Sequence, residues 1–130
     1  MPEKTVATSA PIRASFANRS LVAPVLERIV SAAAVQAELS VDRLVNALAA
    51  VDVIVSACNR VFAAEAPREF SIAISPGKLQ LSVDALHDGQ ADALLDAARL
   101  PEIGDVLARV ADSIQTEQGQ NGNSLSVTLC

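Results

Sequence analysis

Tryptophan and tyrosine are missing from this chain, and only three phenylalanines stand among its 130 residues. Base stacking draws on aromatic rings, and tracking a phosphate backbone needs Lys and Arg. Ten basic residues face fifteen acidic ones, a net charge of −5, so no nucleic-acid partner is expected. Cysteine is equally scarce. Cys58 and Cys130 form no CxxC or Cys/His pattern, which argues against a metal centre and leaves reduced cytosolic thiols as the expectation. The single histidine, His87, falls before Asp88 and Gly89 in a loop-like stretch, off the helix face that phosphotransfer would want, and reads as a solvated loop residue. No apolar run reaches the length of a membrane span, because Asp52 interrupts the best candidate, and MPEKTVATSAPIR has no signal-peptide core. A soluble, cytoplasmic protein without a membrane partner is expected.

What the chain does have is aliphatic mass: 51% of its residues are apolar, enough for one domain with a core of its own. Residues Met1 to Pro11 form a polar lead-in with two prolines, and residues 12–130 a single domain. Ile12, Ala14 and Phe16 alternate with Arg13 and Ser15 as a first strand. Ser20 is placed to cap a helix that tolerates Pro24 in its first turn, buries Leu26, Ile29, Val30 and Ala33, and fades near Leu39. Ser40 caps a second helix with Asp42 in its positive first turn, and Pro67 closes that region. Two cleanly alternating strands follow, Phe70-Ile72-Ile74 and Leu79-Leu81-Val83, joined by Ser75-Pro76-Gly77-Lys78. Their polar partners point to a sheet with one covered and one wet face. The segment ADALLDAARL reads as an acidic helix. Pro101 then opens another, with a stripe of Ile103, Val106, Leu107, Val110 and Ile114. A turn over Gln118 to Asn123 leads to a last strand through Leu125, Val127 and Leu129. The order β-α-α-β-β-α-α-β predicts an α+β two-layer sandwich, a mostly antiparallel sheet with its helices on one face.

The stretch with chemical interest is Ser40 to Ala64. From Ala47 to Cys58 it is apolar nearly all the way round, which predicts burial on more than one side. Asp52 and Ser56 break the run four residues apart, and Asn59 continues their stripe. A carboxylate among Val51, Val53, Ile54 and Val55 needs a cavity, a solvent channel or a hydrogen-bonding neighbour. Cys58, with no histidine near it in sequence, reads as a small buried hydrophobe.

From Ile12 to Leu129 the chain resembles the histidine-kinase-like (GHKL, Bergerat) ATPases, and among them the short bacterial anti-sigma factors that also act as serine kinases. A gap-free overlay puts Asp52 at the family's Glu, the base that orients water, and Ser56 at its magnesium-binding Asn. EFSIAISPGKLQLSV resembles the family's central strand pair, and IGDVLARVADSIQTEQGQNGNSLSVTL its closing helix and strand, with Gly104 where the second glycine box begins. The family's DxGxG, however, is replaced by DALHDGQ: Asp84 and Gly89 stand at the wrong separation, and Ala85 falls at the expected aspartate. Where the family has a glycine-rich phosphate lid, this chain has Asp92, Asp96, Glu102 and Asp105, which would repel a triphosphate.

The resemblance thus implies the fold together with degenerate nucleotide boxes. It leads to the expectation of a bacterial transcription regulator that works by protein-protein interaction, sequestering a sigma factor or an anti-sigma antagonist, with no cofactor. The surface it implies lies in Ile12 to Val35, with Arg13, Arg19, Glu27 and Arg28 as polar contacts and a possible homodimer. One alternative is an active serine/threonine kinase holding ATP and Mg2+, with Asp52, Ser56 and Asn59 at the nucleotide, Asp52 as base and Ser56 on the metal. The other is a dimeric scaffold or small-ligand binder on the same fold.

Overall fold

The computed structural model describes residues 11–17, 19–100, 104–119 and 122–130. Seven strands and four α-helices follow one another among them. The order is β1 (Ile12–Phe16), α1 (Val22–Gln36), α2 (Val41–Val61), β2 (Arg68–Ser75), β3 (Lys78–Leu86), α3 (Gln90–Ala97), β4 (Arg99–Leu100), β5 (Gly104–Asp105), α4 (Val106–Val110), β6 (Ser113–Gly119) and β7 (Gly122–Leu129). Five strands make one antiparallel sheet in the order β1-β2-β3-β7-β6, and β4 pairs with β5 in a separate two-stranded ribbon. The α+β two-layer class expected from the sequence is the class observed.

Register explains the layering. Phe70, Ile72, Leu79, Leu81, Val83, Leu125, Val127 and Leu129 are all buried and lie opposite one another across β2, β3 and β7. They form the inner face, on which α1 and α2 pack through Val22, Leu26, Val30, Val51, Ile54 and Cys58. Phe16 and Phe70 close one end of this core edge to face, with ring centroids 5.9 Å apart. The other face carries small polar side chains, among them Ser71, Ser82 and Ser126. The hydroxyls of Ser82 and Ser126 are 2.9 Å apart across β3 and β7.

The helix boundaries follow local chemistry. Ser40 caps α2, its hydroxyl accepting from the Arg43 N–H at 3.2 Å. At the end of α1 the Leu39 N–H reaches the Ala34 carbonyl and the Glu38 N–H reaches that of Val35, with Glu38 left-handed at φ 61°. That is a Schellman stop with glutamate where glycine is the usual choice. Ser20, expected to cap α1, lies instead in a 3-10 turn (Arg19–Leu21); Leu21 takes the N-cap position without a side-chain cap bond.

Three further sequence expectations need correction. The helix expected from Pro101 begins only at Val106, where the Asp105 carboxylate accepts from the Ala108 N–H at 3.1 Å; Gly104 and Asp105 belong to β5, and Ile103 lies outside the described residues. Ile114, expected on that helix, sits in β6, a fifth sheet strand the sequence reading lacked. Spacing of four from Val110 mimics a helical stripe. However, Ile114 pairs with Val127 on the inner face, whereas Ser113, Gln115 and Glu117 pair with Thr128, Ser126 and Ser124 on the outer face. Backbone hydrogen bonds along β7 decide between the two. Arg99 likewise leaves the acidic helix, which ends at Ala97, and enters β4.

A bulge in β3 between Val83 and Leu86 sets Ala85 at φ 57°. Gly122 lies against it at φ 109°, and a Cβ there would come within 2.9 Å of the Leu86 carbonyl oxygen. Strain and contact act together, so Gly122→Ala is expected to cost about 1–3 kcal/mol. Glu38→Gly, which relieves the left-handed residue at the end of α1, should stabilise by about 0.5–1 kcal/mol. Chemical denaturation of both variants checks the pair; equal midpoints for Gly122→Ala and wild type would contradict the bulge geometry.

Candidate partner-binding face and closed interior

One side of α2 faces the sheet and its flanking helices through Ala47, Ala50, Val51, Ile54, Val55, Ala57 and Cys58, all buried. Asp52, Ser56 and Asn59 come together on the opposite side and are exposed. Burial is therefore one-sided, and the Asp52 carboxylate meets solvent directly instead of needing an internal partner.

On the inner side, α3 and α4 close over α2. Ile54 and Ala57 meet Leu94 and Ala98, with Leu107 of α4 and Leu125 of β7 completing the contact; the gap among them holds no water-sized space. Leu94, Leu107 and Ala98 are each at most 2% exposed. The Arg60 guanidinium adds a latch by donating to the Ala97 carbonyl at 2.9 Å, which fixes the end of α3 to α2. Among the carboxylates expected near a phosphate lid, Asp92 and Asp96 are exposed on α3, Asp105 caps α4, and Glu102 lies outside the described residues.

The four polar partner candidates divide between the layers. Arg13 stands on the outer face of the sheet, where it lines a shallow depression of about 400 Å3 with Ser15, Glu69, Ser71, Asp84 and Ser124. Arg19 is exposed in the turn before α1, Arg28 is exposed on α1, and Glu27 is half-buried beside it. Around Arg28 the sequence reading missed an apolar seam. Leu21, Val25, Arg28, Ala32 and Val35 follow a four-three-four-three spacing and are all exposed, Val35 by 70%. Across the turn, Val41 at 75% and Val45 at 57% start α2 at the same end of the helix pair. Their spacing would have revealed the seam, had the inward stripe through Leu26 not claimed the helix's apolar residues. At the foot of α2 the Arg43 guanidinium reaches the Asp112 carboxylate at 3.3 Å, and the same oxygen accepts from the Cys130 N–H at 2.8 Å.

Arg68 is the second residue that sequence reasoning missed. It is buried on the inner face, at the head of β2. Period-two alternation back from Phe70 and Ile72 would have found it.

His87 is exposed in the loop before α3, as expected, and among the described residues no group of three or more His, Cys, Asp or Glu side chains could hold a metal ion. No described helix is long and apolar enough to cross a membrane. No protein-family model and no curated protein matches the chain.

Burial pushes the Cys58 thiol up to about 12 from 9.0, with the positive charge of Arg68 pulling weakly the other way. An unfolded thiol ionises near 9, so across the window from 9 to 12 the unfolded state holds fewer protons than the folded one, and stability falls as pH rises. Wild type should lose stability there more steeply than Cys58→Ala, by up to about 1.4 kcal/mol per pH unit. Native protein should release one thiol, Cys130, to a disulfide reagent, and Cys58 only on unfolding. Parallel alkaline stability curves or rapid reaction of both thiols would contradict this.

Proposed function

We propose that the chain is a regulatory protein-binding module of the anti-sigma kind, which sequesters a sigma factor or an anti-sigma antagonist in the bacterial cytoplasm without turning over ATP. The observation that carries this reading is that Asp52, Ser56 and Asn59, the residues that would meet a nucleotide, stand in solvent on the outer side of α2, while its inner side is filled by Leu94, Ala98 and Leu107. A nucleotide needs a cavity of several hundred Å3, roughly, and this interior offers none between those helices. The resemblance to anti-sigma regulators supplies the class of partner, and the exposed seam of α1 supplies a surface. A four-three spacing of Leu21, Val25, Ala32 and Val35 presents the ridge that a partner helix packs against, and Arg28 in its middle adds charge selectivity. The same spacing favours a homodimer as the second reading, because a helical ridge of this kind can pack on its own copy.

The test mixes the full chain with each sigma factor and each anti-sigma antagonist encoded in the source genome and follows complex formation by sedimentation. One heterologous complex is expected, weakened by about tenfold or more in Val35→Asp, which places a charge on the seam. Self-association abolished by Val35→Asp would favour the dimer. A monomer that joins none of these partners would overturn the proposal.

A further inference from the structure

Arg68 is 1% exposed, yet only one of its three guanidinium nitrogens has a partner. Nη1 donates to the Ala66 carbonyl at 2.6 Å, and the Phe62 ring lies 5.6 Å from Cζ. Nε and Nη2 have no hydrogen-bond partner. Buried polar groups are almost always paired, and a guanidinium keeps its charge, so two orphaned donors on one buried cation demand an acceptor. These two nitrogens form the side-on fork of the guanidinium, whose parallel N–H groups match the two oxygens of a carboxylate.

Arg68 also lines a cavity of about 150 Å3, together with Phe62, Pro67, His87 and Gln90. A space of that size takes several waters or one small organic acid and is far below nucleotide size. We propose that Arg68 anchors a binding site for a small monocarboxylate, gripped bidentately through Nε and Nη2. The apolar wall of Phe62 and Pro67 suits a short aliphatic or keto-acid chain. Gln90, the first residue of α3, brings a side-chain amide to the opposite side; its Oε1 already accepts from the His87 N–H at 2.7 Å, so the amide nitrogen is the end that can donate to a ligand. The site is independent of the α1 seam and of the partner reading built on it.

The experiment follows the Arg68 Nε–H signal of isotope-labelled full-length protein by NMR during titration with acetate, pyruvate or butyrate, at constant ionic strength. Chloride and inorganic phosphate serve as controls. A saturable shift is expected with at least one monocarboxylate, with a dissociation constant on the order of 1 mM or tighter, and none with chloride. The same acid should raise the wild-type melting temperature by mass action. Arg68→Met should abolish that rise, and Arg68→Lys, which keeps the charge and loses the fork, should reduce affinity about tenfold or more. Should Arg68→Met not fold, the wild-type titration and the Lys variant still decide. Shifts that are linear and equal for chloride and every acid would mean that water alone solvates the fork and would overturn the proposal, as would unchanged affinity in Arg68→Lys.

Discussion

Contact between α2 and the pair α3 and α4 governs what this molecule can do. Leu94 and Leu107, one from each of two short helices, enter the groove along Ile54 and Ala57 and leave no space for solvent. Neither helix could hold its place by propensity, since eight and five residues are well below the length at which isolated helices persist. Burying each leucine contributes about 1.5–3 kcal/mol, and the Arg60 bond to Ala97 fixes the angle at which α3 arrives. A ligand forcing that groove open would have to expose both leucines first. At about 3–6 kcal/mol for the pair, its apparent affinity would fall by roughly two to four orders of magnitude.

With that interior closed, the chemistry of the chain moves to its edges. The helical layer offers an apolar seam on α1 with charge at Arg28. The outer face of the sheet offers small hydroxyls that pair with one another, as Ser82 does with Ser126, and Ser126 and Thr128 there are largely screened from solvent. At the head of β2, Arg68 sits on the inner face with two donors unmet, next to the loop that leads into α3. The Cys58 thiol, within reach of the field of Arg68, is held protonated by burial and contributes as packing, not as a nucleophile.

Much of this could be read from the residues alone, because the elements that matter most carry a single period. Phe70-Ile72-Ile74 and Leu79-Leu81-Val83 alternate without a break and form two of the three interior strands, and the Ser40 cap sets where α2 begins. The reading failed where two periods coincide over a short run. Ile114 fits a helix continued from Val110 and equally a strand facing Val127; only the presence of β7 as a hydrogen-bonding neighbour separates them. It also failed where identity and position disagree. Asp52 interrupts an apolar run that reads as buried on more than one side, yet it is solvated, whereas Arg68, a charge the sequence reading passed over, is enclosed. One-dimensional patterns report the face on which a residue lies. Which faces neighbouring helices cover is set by the arrival of α3 and α4, and that is a tertiary fact.

The most direct test of the closed interior is calorimetry of the full chain with ATP and magnesium at millimolar concentration, read together with hydrogen exchange of α3 and α4. The account predicts no saturable heat and unchanged protection around Leu94 and Leu107. Saturable ATP binding accompanied by loss of protection in those two helices would contradict it.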